Sequence, residues 1–137
     1  AALTAHPADA STPFTTLDPA ATSFGVDFNP AADALRVISN TGQNLRIFVQ
    51  TVAGQTPDRQ AGFTFTDTTL VRTGVIPAPT FADSASAYTN SFDGTTTTRL
   101  FNINATTDTL TLQDPPNNGT QVVAAPLRHY VPALDSF

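Results

Sequence analysis

The stretch that decides the fold is residues 24–49, which read FGVDFNPAADALRVISNTGQNLRIFV. Apolar residues occupy alternate positions in 24–28 and again in 45–49, a period typical of β-strands with one buried face. Residues 35–39 are apolar enough for a strand between them, and the Asn-Thr-Gly at 40–42 supplies a tight turn. The stretch therefore predicts a meander of three antiparallel strands.

A second block, residues 87–113, has the same layout. The two blocks align at a constant offset of 65 residues through four pairs of apolar residues, namely Leu35 with Leu100, Ile38 with Ile103, Leu45 with Leu110 and Ile47 with Leu112. A repeated unit of strand, turn and strand is typical of propellers and other stacked β arrays. We therefore predict two related three-stranded units, at about 23–50 and 87–113.

Shorter elements are predicted between and after these units. Residues 63–72 predict a hairpin that turns at Asp67, and 81–87 predict one helical turn. Tyr88–Phe92 predicts the first strand of the second unit, and residues 121–124 predict the last strand of the chain.

The fold class that follows is all-β, made of repeated antiparallel three-stranded meanders in a propeller-like or sandwich-like arrangement. A closed propeller needs at least about four blades of roughly 40 residues, so 137 residues are too few to close one. We expect an extended N-terminal arm at 1–21, a β domain at 22–125 and an irregular C-terminal tail at 126–137.

The charge pattern excludes several classes of partner. All 11 acidic residues are Asp, all 6 basic residues are Arg, and the net charge is -5 at pH 7. An acidic chain without an Arg cluster repels nucleic acid.

Cysteine is absent, which excludes disulfides and thiolate ligands. No apolar run approaches the ~20 residues of a membrane helix, and the Ala-Ala-Leu start is typical of a chain after signal cleavage.

Three long motifs carry a family resemblance. They lie at residues 24–46, at 87–104 (AYTNSFDGTTTTRLFNIN) and at 108–120 (DTLTLQDPPNNGT), and they resemble the family called domain of unknown function 4394. The resemblance implies a propeller-like β protein, mostly bacterial, with no assigned activity and no catalytic residues to carry over. Family members are usually longer, with related β units on both sides. The resemblance also implies a secreted or periplasmic location, and we expect an extracytoplasmic one: secreted, periplasmic, at the cell surface or in an organelle lumen.

Residues with catalytic or metal-binding chemistry are few. No Gly-x-Ser-x-Gly elbow or phosphate-binding glycine loop occurs, so we expect no enzyme activity and no cofactor. His6 and His129 lie in the predicted arm and tail, where solvated side chains are expected. Asp27, Asn29 and Asp33 are the nearest approach to a calcium site, but their spacing does not match a calcium loop. Capping of turn amides is the favoured role for Asp27 and Asn29.

Several other residues are candidates for interactions. Arg36 and Arg46 flank one turn and Arg99 follows a Thr run; each either pairs with an Asp or holds a carboxylate or a sugar, and pairing is favoured. Phe14 and Leu17 would anchor the arm if it adds as a strand to a neighbouring sheet edge. The two glycosylation sequons begin at Asn104 and Asn118 and lie at predicted turns.

These observations favour a non-catalytic structural or interaction module of an extracytoplasmic assembly, with protein subunits or further copies of itself as partners. Three features support this interpretation: the chain is too short to close a propeller, its N-terminal arm is rich in Pro, and catalytic groups are few. The alternative is a glycan or small-ligand binding module, in which Tyr88 stacks on a sugar ring and Thr-rich strand faces bind hydroxyls. A hydrolase that uses His129 or a pair of Asp residues has the least support.

Overall fold

The computed structural model describes residues 1–56, 58–73 and 82–127. This part of the chain contains ten β-strands, one short 3-10 helix at Pro116–Asn118 and no α-helix. The strands are β1 (Thr4–Ala5), β2 (Phe24–Asn29), β3 (Ala34–Ser39), β4 (Asn44–Ile47), β5 (Phe63–Thr66), β6 (Val71–Arg72), β7 (Asp83–Tyr88), β8 (Leu100–Asn104), β9 (Thr109–Gln113) and β10 (Thr120–Pro126). The prediction of an all-β fold is confirmed.

The strands form two mixed five-stranded sheets. Sheet I has the order β1-β5-β4-β3-β2 and sheet II has the order β6-β10-β9-β8-β7. In each sheet the four consecutive long strands pair antiparallel with their neighbours. A short strand lies parallel at the far edge, β1 beside β5 and β6 beside β10. The two sheets therefore have the same strand order, and neither closes into a barrel within the described ranges.

The turns of sheet I follow from polar side chains at the strand ends. Asn29 Oδ1 accepts hydrogen bonds from the backbone N–H groups of Ala31 and Ala32 at 2.9 and 3.0 Å, which closes the turn between β2 and β3. Gly42 has a φ of 95°, a conformation in which a side chain is unfavourable, and it ends the turn between β3 and β4. These local bonds fix the register of the meander.

Three sequence predictions of local structure are wrong. Residues 63–72 form no hairpin, because β5 pairs with β4 and β6 pairs with β10 in the other sheet. The helical turn expected from 81 to 87 is replaced by strand β7, although residue 81 itself lies outside the described part. The strand expected at Tyr88–Phe92 ends at Tyr88, since β7 lies upstream of it.

The constant offset of 65 residues holds for the second strands of the two units, β3 and β8, but not for their third strands, β4 and β9. Leu35 pairs with Ile47, so a constant offset would pair Leu100 with Leu112. Leu100 instead pairs with Gln113, because the turn from β8 to β9 is one residue longer. The offset aligns β3 with β8, whereas β4 aligns with β9 one residue later.

The N-terminal arm is held on the chain's own sheet. Thr4–Ala5 forms β1 and pairs with Phe63 and Thr64 at the edge of sheet I. The next residue, His6, is only 3% exposed, so the solvated histidine expected there is wrong. At the other end, β10 reaches Pro126, and the remaining tail with His129 lies outside the described residues.

The two sheets stack on each other with β2 against β7. A Cβ added to Gly25 would lie 2.7 Å from the backbone carbon of Ala85, so only glycine allows this approach. Two residues further along β2, Asp27 Oδ2 accepts a hydrogen bond from the backbone N–H of Tyr88 at 2.6 Å. Because the contacts advance in the same direction along both strands, β2 and β7 run parallel. We call the face that each sheet turns toward the other its inner face, and the opposite one its outer face.

Candidate functional site

The layer between the two inner faces is unusually polar. Arg36 has an exposed fraction of only 2%, although arginine is rarely buried without partners. The buried polar side chains that accompany it from the strands of both sheets are Asn44, Asp83, Asn102, Asn104, Thr111, Gln113 and Gln121. Buried polar groups must be hydrogen-bonded, so their partners determine what this layer does.

Arg36 is the centre of one half of the layer. Its Nη1 donates to Asp67 Oδ2 at 2.7 Å and to Asn44 Oδ1 at 2.8 Å. Its Nη2 donates to Asn117 Oδ1 at 2.7 Å and its Nε donates to Tyr88 Oη at 3.2 Å. Asn117 and Tyr88 belong to sheet II and its connections, so one guanidinium joins both sheets.

A second ion pair lies at the far end of sheet II. Arg72 Nη2 lies 3.3 Å from Asp83 Oδ1, and both side chains are almost completely buried. Gln121 Nε2 donates to the other carboxylate oxygen at 2.7 Å. Burial raises the pKa of Asp83 above its usual 3.8, and the Gln121 hydrogen bond and the charge of Arg72 oppose this rise.

Amide side chains connect the two ion pairs. Gln121 Nε2 also donates to Gln113 Oε1 at 3.3 Å, and Asn102 Nδ2 donates to the same oxygen at 2.8 Å. Gln113 Nε2 donates to the carbonyl of Pro116 at 2.7 Å and lies 3.5 Å from Asn44 Oδ1. The network is therefore continuous from Asp83 to Arg36. Most of its groups bond to each other, which holds the sheets together, although Arg72 Nε, Asn104 Nδ2 and Gln121 Oε1 are buried without a hydrogen-bond partner among the described residues.

Most of the residues predicted to form sites have structural partners of this kind. Arg46 Nη2 binds Asp67 Oδ1 at 3.2 Å, so Arg36 and Arg46 share one carboxylate, and the Arg46 guanidinium lies 4.3 Å from the centre of the Phe65 ring. Tyr88 is buried and is not placed to stack on a ligand. Arg99 is the exception, because it is exposed.

The calcium candidates do not converge on one point. Asp27 binds the backbone of β7, and Asn29 caps its own turn. Asp33 is exposed and lies 3.5 Å from Arg59. Within residues 1–56, 58–73 and 82–127, no group of three or more His, Cys, Asp or Glu side chains could hold a metal ion.

The two sequons differ in accessibility. Asn104 is completely buried, and its Oδ1 accepts hydrogen bonds from the N–H groups of Thr106 and Thr107. The folded chain therefore offers no Asn104 amide for modification. Asn118 is exposed at the end of the 3-10 helix and is accessible.

The outer face of sheet II is a continuous apolar surface. Strand pairing places two side chains from each of β7, β8, β9 and β10 on it. All of them are apolar and each is partly or fully exposed: Ala85, Ala87, Phe101, Ile103, Leu110, Leu112, Val122 and Ala125. Large apolar surfaces of this kind on a sheet mark sites of interaction.

The outer face of sheet I is also apolar but is concave. Phe24, Val26, Leu35, Val37 and Ile47 line a groove of about 540 Å³. The N-terminal arm forms one wall of this groove through Ala1, Leu3 and Leu17. Leu17, predicted to anchor the arm if it adds to a neighbouring sheet edge, lines this groove of its own sheet I and is 41% exposed. Phe14 is half-buried and is not part of the groove lining.

Comparison with known proteins gives a family. The model of the family described as domain of unknown function (DUF4394) matches residues 2–135, nearly the whole chain. The chain belongs to the DUF4394 family. This confirms the resemblance seen in the three sequence motifs. No curated protein and no solved structure matches the chain.

A polar cleft is the second cavity of this DUF4394 chain. It has a volume of about 450 Å³ and lies where the arm, the connection from β5 to β6 and the 3-10 helix meet. Its lining is Asp9, Ser11, Thr12, Thr66, Asp67, Thr68, Thr69 and Asn117. Sequence reasoning did not single out this cleft, because its residues lie far apart in the chain. Among the described residues, this DUF4394 chain has no helix with the length and hydropathy to cross a membrane.

Proposed function

We propose that this DUF4394 chain is a non-catalytic structural module of an extracytoplasmic assembly, which packs against further β units through its two outer sheet faces. The observation that carries the proposal is the outer face of sheet II, where eight partly or fully exposed side chains on four strands are all apolar. The units that bind are sheets of the same strand order, arranged in a propeller-like stack.

Charge distribution supports association of like units. The chain has a net charge of -5, which opposes association of two copies, so a contact surface without charged side chains has the lowest electrostatic cost. The inner layer contains Arg36, Asp67, Arg72 and Asp83, whereas the outer-face positions of β7, β8 and β9 contain no charged side chain. The charged residues are thus absent from the surface where a second unit would dock.

Burial of this surface supplies the driving force. Apolar area removed from water contributes roughly 25 cal/mol per Å², and an apolar sheet face usually packs on another layer. Ile103 and Val122 are 36% and 43% exposed in the isolated chain, so much of this contribution is not realised within one chain. The extracytoplasmic setting is part of the proposal and is supported by the family resemblance.

The test is the mass of the purified chain in solution, measured by sedimentation velocity over a wide range of concentrations. We expect a wild-type mass above that of one chain, rising with concentration. Ile103→Asp should reduce association by at least tenfold, because a charge would be buried in the contact. Phe92→Asp is the matched control, since Phe92 is 63% exposed in the β7–β8 loop, outside the strands of both sheets, and should associate like wild type. Equal association of both variants would contradict the proposal.

The polar cleft supports a second function, the binding of a neutral glycan. Asp9 Oδ2 accepts a hydrogen bond from the backbone N–H of Thr66 at 2.7 Å, and Asp67 is held by Arg36 and Arg46. Two carboxylates and two guanidiniums balance each other here, so a neutral ligand fits better than an ion. The remaining carboxylate lone pairs and the threonine hydroxyls match the vicinal hydroxyls of a sugar.

NMR titration with neutral monosaccharides and disaccharides tests this second function. Asp9→Asn should weaken any saturable shift of cleft residues at least fivefold, because one acceptor is lost. Asp93→Asn, an exposed change in the β7–β8 loop, is the control. Absence of saturable shifts in the wild-type chain would exclude glycan binding at the cleft.

A further inference from the structure

The two sheets of the chain stack in the same orientation, with equivalent strands lying side by side. β2 and β7 run parallel and adjacent, and Asn44 at the start of β4 lies close to Gln113 at the end of β9. Both sheets therefore extend from β2 and β7 toward the same side. Two sheets of identical strand order that stack in this way contact each other through opposite faces. The inner face of sheet II therefore occupies the position in its sheet that the outer face occupies in sheet I.

Strand pairing identifies the corresponding residues. On the inner face of sheet II, three residues paired across β7, β8 and β9 form a row: Tyr88, Leu100 and Gln113. The corresponding row on the outer face of sheet I, paired across β2, β3 and β4, is Phe28, Leu35 and Ile47. Ile47 is only 5% exposed, so Phe28 and Leu35 form the accessible part of this row. We name these the Tyr88 row and the Phe28 row. The offset of 65 residues between Leu35 and Leu100 is the same correspondence seen in the sequence.

The same correspondence applies to the surfaces that these rows would contact. Within the chain, the Tyr88 row faces a row on the inner face of sheet I that consists of Asp27, Arg36 and Arg46. The row that corresponds to it on the outer face of sheet II is Ala87, Phe101 and Leu112. We name these the Arg36 row and the Phe101 row.

The chemistry of the four rows matches in pairs. Within the chain the contact is mainly polar, since Arg36 donates to Tyr88 and the Gln113 amide completes the network, and Leu100 is the one apolar member of the two rows. At the two outer faces, the corresponding positions are apolar on both sides, with Phe101 in the place of Arg36 and Phe28 in the place of Tyr88. A polar row packed against either outer face would bury polar groups without hydrogen-bond partners. The two outer rows are both apolar, so they can pack on each other without this cost.

We infer that copies of this chain associate head to tail, with the Phe101 row of one copy packed against the Phe28 row of the next. This inference rests on the proposed function and specifies its partner as a second copy and its polarity as heterologous. The contact repeats the stacking of sheet II on sheet I within one chain, so it continues an interface that the structure already contains. A heterologous contact of this kind forms rings or open stacks rather than a two-fold dimer.

Complementation between two variants tests the polarity. Phe28→Asp damages only the outer face of sheet I, and Phe101→Asp damages only the outer face of sheet II. Neither variant alone should associate, whereas an equimolar mixture should form a one-to-one dimer through the two intact faces. Circular dichroism checks that each variant folds, and Val26→Asp and Ile103→Asp replace any variant that does not.

The outcomes separate the inference from the proposed function. A dimer in the mixture alone supports head-to-tail packing. If Phe28→Asp still associates like wild type while Phe101→Asp does not, sheet II pairs with itself, which overturns the polarity but leaves the proposed function standing. A mixture that stays monomeric overturns the inference, and a wild-type chain that is monomeric at every concentration overturns both.

Discussion

Replacement of Arg36 by Met is the most informative test of the polar layer. The change keeps an unbranched apolar stem but removes hydrogen bonds to Tyr88, Asn44, Asp67 and Asn117. Breaking a buried ion pair by removal of one partner costs about 3–5 kcal/mol, because the other charge stays buried. Asp67 keeps a second guanidinium, so we expect a loss near the lower end, about 3 kcal/mol. The total free energy of unfolding of natural domains is only about 5–15 kcal/mol, so this loss would be a large part of it.

Urea unfolding followed by far-UV circular dichroism measures this loss, since the chain has no tryptophan. Arg99→Met is the matched control: its side chain is exposed, so the free energy of unfolding should change by no more than about 0.5 kcal/mol. Addition of Asp67→Asn to Arg36→Met should add a further loss, because Asp67 still pairs with Arg46 and its removal leaves that guanidinium without a carboxylate. A loss below about 1 kcal/mol for Arg36→Met would show that the layer does not hold the sheets together.

Three further predictions concern the contacts of the sheets and the arm. Gly25→Ala should lower the free energy of unfolding by about 1–3 kcal/mol, because its Cβ would meet the backbone of Ala85; an unchanged urea midpoint would contradict the close stacking. Since burial raises the pKa of Asp83, the folded state binds more protons than the unfolded state just above pH 3.8, and stability falls as pH rises through that window. The stability of wild type relative to Asp83→Asn should therefore decline over the same window, and a constant difference would refute the assignment. His6→Ala should expose the N-terminal arm to protease at least tenfold faster, because the ring is 3% exposed and stacks 4.1 Å from Phe65; an unchanged cleavage rate would show that His6 does not anchor the arm.

The fold class was predictable from the sequence because alternation of apolar residues survives in most strands. Strands β2 and β4 are both apparent from this period. Strand β7 was missed because its residues, Asp83–Tyr88, are small and polar and its exposed face consists of alanines. The hairpin at 63–72 was predicted from local pattern alone, and nothing local indicates that β6 crosses to the other sheet.

The candidate sites were less predictable because they depend on distant partners. Pairing of Arg36 with an Asp was expected, but its partner Asp67 lies 31 residues away, and burial of both could not be inferred. The outer faces escaped notice for a different reason. Leu110 and Leu112 are typical of any half-buried strand, and only the pairing shows that their face has no covering layer within the described chain.

Thiol labelling tests most directly whether the outer face of sheet II is a contact surface. The chain has no cysteine, so any introduced thiol is a unique reporter. Ile103→Cys places a thiol on the outer face of sheet II, and Phe92→Cys places one on a solvated loop. If the outer face is a contact surface, the rate of thiol labelling at Ile103→Cys should fall at least tenfold as protein concentration rises from micromolar to millimolar, while the rate at Phe92→Cys stays constant. Labelling of both thiols at the same rate at every concentration would show that this apolar face remains open to water, and the account would be wrong.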